Sequence, residues 1–110
     1  MAFLARFFSS SWPLGRGEVT AVEIRKVRTR QGMRSMGISV CYKFYAGDDG
    51  RDGPYTGESY WEPTFSKSME EMEQIASRIH IGEAVQVRYR PDDPSVSKLD
   101  IKQLVEGRRP

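Results

Sequence analysis

The sequence predicts a mainly β domain of five strands and one helix, in the order β-β-β-α-β-β. Apolar and polar residues alternate in the strand segments, as is typical of half-buried strands. In one other segment the apolar residues have helical spacing, and a helix-capping sequence lies at its start. Oligonucleotide/oligosaccharide-binding (OB) barrels have this element order, so we expect an OB-like small antiparallel five-stranded barrel or a strongly curved sheet. An open sheet or a sandwich backed by the helix fits the order almost as well.

The first three strands are expected over residues 17–28, 36–46 and 55–62. Strand 2 is the clearest, because Tyr42 and Phe44 continue an alternation rich in β-branched and aromatic residues. Glycine, aspartate and proline crowd residues 47–54. This composition is typical of a turn and predicts that strands 2 and 3 form a hairpin.

The helix is expected from Ser68 to about residue 80, with Ser66 as an alternative N-cap. Ser68 and Glu71 have the spacing of a capping box. The apolar residues behind it fall on one helical face: Met69, Met72, Ile75, Ala76 and Ile79. Gly82 is expected to end this segment in the left-handed conformation. Strand 4 is then expected over 84–90, a turn over 91–94 and strand 5 over about 97–104.

The length of 110 residues suits one domain. We divide the chain into an apolar N-terminal arm or short helix over 1–15, a single β domain over 16–105 and a frayed tail over 106–110. The hydrophobic fraction of 38% and charged fraction of 29% exclude a disordered chain.

Cysteine and histidine each occur once, at Cys41 and His80. An internal disulfide and a Cys- or His-rich metal site are therefore excluded, and we expect no metal and no cofactor. No apolar run approaches the roughly 20 residues of a transmembrane helix, and the first residues lack the pattern of a signal peptide. We expect a cytoplasmic location, with a membrane-peripheral one as the alternative.

Several short motifs of the chain resemble those of a family known as domain of unknown function 3592. They are Trp12-Pro13, Gly17-x-Val19, Tyr42-x-Phe44, Tyr55-x-Gly57 and the longer run Gly82-x-x-Val85-x-Val87-x-Tyr89-x-Pro91-x-x-Pro94-x-x-Ser97-x-Leu99. Members of this family are commonly bacterial, and many carry transmembrane helices beside the soluble domain. The present chain departs from that pattern because it has no such helix. The resemblance implies no activity and no catalytic residue.

The residues themselves also indicate no catalytic set. Pairs of acidic residues occur at 48–49, 70–71 and 92–93. We expect these pairs to lie in turns or on the solvent-exposed face of the helix. General acid–base catalysis needs carboxylates in a cleft with shifted pKa values. We therefore expect a non-enzymatic binding or interaction domain.

The first candidate surface is an apolar stripe near the N-terminus. Its residues have helical spacing or follow it directly: Phe3, Leu4, Phe7, Phe8 and Trp12. Large apolar side chains on so short a segment need a partner, which we expect to be another protein or a second copy of the chain. Packing on the domain's own core and peripheral membrane contact are the alternatives.

The second candidate surface would bind an anionic ligand. Residues 1–35 contain seven Lys/Arg and two acidic residues, although the net charge is only +2. An OB-like barrel that binds single-stranded nucleic acid combines cations with stacking aromatics. The candidate residues are Arg28, Arg30, Arg34, Lys43, Tyr45, Tyr60 and Trp61. The competing interpretation is that about half of these aromatics are core residues and that the arginines simply face water.

Overall fold

The computed structural model describes residues 11–28, 32 and 34–107. Within this part the strands are β1 (Leu14–Arg28), β2 (Arg34–Ala46), β3 (Asp52–Trp61), β4 (Ala84–Arg90) and β5 (Asp93–Leu99). Helix α1 (Met69–Ala76) lies between β3 and β4, and helix α2 (Ile101–Glu106) follows β5. The predicted order of five strands with a helix after the third is confirmed, and α2 is an addition to it.

The five strands form one antiparallel sheet in the order β3-β2-β1-β4-β5. The two outer strands, β3 and β5, lie beside each other. The Leu99 amide donates to Ser59 Oγ at 3.2 Å, and the hydroxyls of Tyr42 and Ser97 are 3.0 Å apart. The sheet is therefore a nearly closed small barrel, as the sequence predicts.

The barrel interior is filled from all five strands. Phe44 is fully buried, and its ring centroid lies 5.7 Å from that of Tyr55 and 5.9 Å from that of Tyr89. Aromatic pairs at these distances add to the free energy gained from burial. Met72 and Ile79, from α1 and the turn after it, are also buried in this core. The alternation in strand 2 thus predicts the interior correctly.

The capping box of α1 is present as predicted. Ser68 Oγ accepts a hydrogen bond from the Glu71 amide, and Glu71 Oε1 accepts one from the Ser68 amide, each at 3.1 Å. The helix nevertheless ends at Ala76, earlier than residue 80. Beyond it the amides of Arg78 and Ile79 bond to carbonyls three residues back, which is the tighter geometry of a terminal turn.

The prediction that strand 5 continues to about residue 104 is wrong. The strand ends at Leu99, and Asp100 Oδ1 accepts a hydrogen bond from the Gln103 amide at 3.1 Å. This N-cap starts α2, whose Ile101 and Val105 are buried one helical turn apart. Their spacing of four fits a helix, whereas Leu99 and Ile101 alone also fit a strand.

Other predicted boundaries need smaller corrections. Strand β2 begins at Arg34 rather than at 36, and β5 begins at Asp93, inside the predicted turn, rather than at about 97. Strand β1 begins at Leu14 rather than at 17, so the last two residues assigned to the arm belong to the sheet. Strand β3 begins at Asp52, inside the predicted turn, because Asp52 pairs with Ala46. Glu106 belongs to α2 rather than to the tail.

Candidate functional site

The outer face of β1, β2 and β3 carries three residues of the predicted anion-binding surface, namely Lys43, Tyr45 and Tyr60. Lys43 Nζ lies 2.8 Å from Glu18 Oε1 on the neighbouring strand. The hydrogen bond and the negative charge of this carboxylate raise the pKa of Lys43. Tyr45 and Tyr60 are each 39% exposed. The aromatic surface is therefore present, but the lysine beside it is already paired with an acid.

Glu58, on β3, is the centre of a polar network on this same face. Its Oε1 accepts a hydrogen bond from Ser39 Oγ at 2.8 Å and lies 2.9 Å from Arg25 Nη1. Its Oε2 lies 4.0 Å from Cys41 Sγ, and Arg25 also approaches Glu23 at 3.7 Å. The network links three strands. Like Lys43, Arg25 is thus paired with acidic groups.

Tyr60 and Trp61 point to opposite sides of β3, as neighbours in a strand must. Tyr60 lies over Gly37, and its partial burial, together with the charge of Glu62, raises its pKa. Trp61 is only 9% exposed, and its Nε1 donates to Glu106 Oε2 at 3.2 Å. Its ring packs in the barrel, which corrects the placement of Trp61 on the predicted ligand face.

The predicted arginine cluster is only partly within the described residues. Arg28 is exposed at the end of β1, and its register partner is Arg34 at the start of β2. Arg30 lies outside the residues that the structure describes. The hairpin thus brings Arg28 and Arg34 to one end of the sheet, and their role in binding stays a prediction.

The predicted partner-binding stripe is also only partly described. Phe3, Leu4, Phe7 and Phe8 lie outside the described residues, whereas Trp12 is half-buried just before β1. The carbonyl of Trp12 accepts a hydrogen bond from Arg88 Nη1 at 3.2 Å. This contact ties the start of β1 to β4.

A groove of about 800 Å³ lies between β4 and α2, and we call it the β4–α2 groove. Its volume is within the ~300–1,000 Å³ typical of ligand sites. Apolar side chains and cations both line it: Leu14, Val85, Ile101, Leu104, Arg88, Lys98 and Lys102. Neither Lys98 nor Lys102 forms an ion pair with another described residue. This surface therefore combines apolar area with uncompensated positive charge.

The groove exists because β4 extends beyond the end of β5. The last pair between these strands is Val87 with Leu99, after which the chain turns into α2. Residues 84–86 of β4 pair with β1 on one side only. The N-cap at Asp100 thus leaves a short length of sheet edge uncovered by β5.

The uncovered edge offers hydrogen-bonding groups of the backbone. The Val19 amide donates to the Glu83 carbonyl and the Tyr89 amide to the Pro13 carbonyl, so the odd-numbered residues of β4 face β1. Backbone groups alternate along an antiparallel strand, so those of Ala84 and Gln86 point away from β1. The pairing of Val87 with Leu99 sets the Asp100 amide opposite the Gln86 carbonyl, whereas the Gln86 N–H and both groups of Ala84 lie beyond the last pair with β5. An open strand edge of this kind can accept another strand.

The described residues contain no cluster of three or more His, Cys, Asp or Glu side chains suited to hold a metal ion. Among the same residues, no helix has the length and apolar character needed to cross a membrane.

The family model described as Domain of unknown function (DUF3592) matches residues 15–103. The chain belongs to the DUF3592 family. The resemblance seen in its short motifs is thereby confirmed, and the match spans β1 through the first turn of α2. No match was found among curated proteins, and none among solved structures.

Sequence reasoning missed the β4–α2 groove because it extended strand 5 over the residues of α2. One signal was present. Asp100 and Gln103 have the spacing of a capping box, followed by Leu104 and Val105. A helix start at Asp100 implies that β5 stops there, and an uncovered edge on β4 follows from that.

Proposed function

We propose that this chain is a non-enzymatic binding domain that takes up an acidic, partly apolar segment of a partner protein in the β4–α2 groove. One observation carries the proposal: the groove joins an apolar lining to Lys98 and Lys102, which form no ion pair with another described residue. Apolar contact supplies the affinity of such sites, and charge complementarity supplies orientation and rate of association.

The acidic pairs support a non-enzymatic role, because one carboxylate of each pair has a local structural partner. Asp49 accepts a hydrogen bond from the Arg51 amide, and Glu71 caps α1. Asp92 lies 2.7 Å from the Nε of Arg90. Each of these carboxylates has a local structural partner, which is the usual fate of acids in turns and at helix starts.

Site-specific photo-crosslinking in the cells that naturally contain this chain tests the proposal. A photoreactive amino acid at Gln86 lies beside the groove, and the same group at Thr56 lies on the exposed outer face of β3. We expect a crosslinked protein from Gln86 and not from Thr56. The identified protein is then purified and its binding to the chain is measured directly.

Ala84→Trp places a large side chain beside the groove without changing a core residue, and Thr56→Trp is its matched control. We expect the first to abolish binding of the purified partner and the second to leave it unchanged. Equal crosslinking at both positions, or full binding by Ala84→Trp, would contradict the proposal.

Binding of single-stranded nucleic acid is the alternative function, on the face that carries Tyr45 and Tyr60. Its support is weaker because Lys43 pairs with Glu18 and Arg25 pairs with Glu58. Binding through phosphates requires cations that are free to replace counterions and therefore weakens steeply with salt. Salt-dependent binding of an oligothymidylate, weakened by Arg28→Ala with Arg34→Ala, would favour this alternative.

A further inference from the structure

The open edge of β4 indicates how a partner would lie in the groove. We infer that the β4–α2 groove binds an extended peptide as an added strand on β4, with apolar side chains on one face of the peptide and acidic side chains on the other. This inference rests on the proposed function, which it extends by naming the conformation and chemistry of the partner segment.

The backbone step rests on Ala84 and Gln86. Both residues direct their N–H and C=O groups away from β1, at the level where β5 has already turned into α2. An incoming strand can pair with the Gln86 N–H and with both groups of Ala84, and so continue the sheet beyond Asp100. Peptide recognition by strand addition takes its affinity from such main-chain bonds and its specificity from alternate side chains.

The side-chain step follows from the two faces of β4. Val85 belongs to the inner row of the strand, beside Ile101 and Leu104 of α2, whereas Gln86 and Arg88 belong to the outer row. Side chains of an added strand alternate in the same way. Its inner row therefore meets apolar groups, and its outer row lies on the side of Arg88 and Lys98.

The charges favour an acidic segment. Lys98 and Lys102 have no ion-pair partner among the described residues, and Asp100, between them, accepts a hydrogen bond from the Gln103 amide. The chain's own residues 1–10 contain Arg6 and no acid, so they do not complement this charge. Two β4 edges from two copies would bring the same lysines together, which like-charge repulsion disfavours.

Fluorescence anisotropy with designed peptides tests the inference. The probe is a fluorescein-labelled peptide of about six residues that alternates valine and glutamate, added to the chain of 110 residues. A peptide that alternates valine and lysine controls for charge. A valine–glutamate peptide N-methylated along one edge controls for backbone pairing, because it retains every side chain but lacks those donors.

The protein variants separate edge pairing from charge. Gln86→Pro removes the N–H that points away from β1, a site where a strand tolerates proline, and Gln86→Ala is its matched control. Lys98→Glu with Lys102→Glu reverses the charge of the groove, and Lys26→Glu on the exposed end of β1 is the control. Circular dichroism checks that each variant is folded.

We expect the valine–glutamate peptide to bind and the valine–lysine peptide to bind at least about tenfold more weakly. Gln86→Pro should weaken binding by about tenfold, roughly the effect of one lost hydrogen bond, and peptide N-methylation, which removes more than one donor, should weaken it at least as much. The lysine reversal should weaken it more than tenfold, with both matched controls near wild type.

Equal binding of both peptides, no binding, or binding insensitive to N-methylation would overturn the inference. Binding that appears only after residues 1–10 are deleted would also overturn it, because the chain's own segment would then be the occupant. If a crosslinked partner requires the groove while the designed peptides do not bind, the proposed function stands and strand addition fails.

Discussion

The outer face of β1–β3 and the β4–α2 groove differ in whether their polar groups have hydrogen-bond or ion-pair partners within the chain. On the outer face Glu58 is bound by Ser39 and Arg25, and Glu18 is paired with Lys43. In the groove, Lys98 has no ion-pair partner among the described residues, and the Gln86 N–H lies beyond the last pair of β4 with β5. Both surfaces belong to one sheet, so strand geometry alone does not create the difference.

The difference arises from where each neighbouring strand ends. Strand β3 accompanies β2 from Ala46 to Ile38, so side chains from three strands meet and pair across the face. Strand β5 leaves β4 at Val87 because Asp100 begins a helix. The paired surface contributes to stability, and the unpaired one retains groups that a partner can satisfy.

The largest expected effect comes from removing the core that supports both surfaces. Phe44→Ala should lower the free energy of unfolding by about 3–5 kcal/mol, since it leaves a cavity among Tyr42, Tyr55 and Tyr89. Leu14→Ala, at a residue of the groove that is 48% exposed, should change it by less than about 0.5 kcal/mol. Urea denaturation of both variants measures the contrast. Similar losses at the two positions would mean that the groove is part of the core.

A smaller effect tests the outer face itself. Glu58→Ala should cost about 1 kcal/mol, because Ser39 is 1% exposed and its hydroxyl then lacks this acceptor. A double-mutant cycle with Ser39→Ala should give a coupling of about 0.5–1.5 kcal/mol. In the groove, Lys98→Ala with Lys102→Ala should be nearly neutral. Zero coupling on the outer face would remove the contrast between the two surfaces.

An effect on stability of similar or smaller size is expected at the N-cap of α1. Ser68→Ala should lower stability by about 1 kcal/mol, because the Glu71 amide loses its acceptor. Ser66→Ala, two residues before the cap and exposed, is the matched control. Thermal unfolding followed by circular dichroism measures both variants, and an equal effect would contradict the assignment of the cap.

The smallest expected effect depends on pH. Hydrogen bonds from Ser68 hold the pKa of Glu71 below its ordinary value of 4.5. A depressed pKa means that this contribution to stability is fully present above the ordinary value and is lost as the pH falls through the lower, folded-state value. Glu71→Gln should therefore weaken the loss of thermal stability with acid. A variant with an unchanged acid profile would contradict the stated cause of the shift.

Much of the fold follows from local sequence patterns. Alternation locates β2 and β4, and the spacing of Ser68 and Glu71 locates α1, because these signals depend on near neighbours. The end of β5 could not be located in this way. The spacing of Leu99 and Ile101 also fits a strand. After Leu99 the chain can either continue to pair with β4 or begin a helix capped by Asp100, and local sequence patterns do not show which of the two is more stable.

The candidate site was less predictable than the fold for the same reason. The sequence identifies Lys43 and Tyr60 as surface residues, but their acidic neighbours become visible only when strands are in register. The β4–α2 groove depends on a missing pair between two strands. The predicted stripe at Phe3–Phe8 lies outside the described residues, and its role stays a prediction.

Amide hydrogen exchange along β4, with and without the valine–glutamate peptide, tests the central claim most directly. Without the peptide, the amides of Ala84 and Gln86 should exchange rapidly while those of Val85 and Val87 are protected by β1. With the peptide, Ala84 and Gln86 should become protected as well. Protection of both amides in the free chain, or no change on adding the peptide, would contradict an open edge that binds a strand.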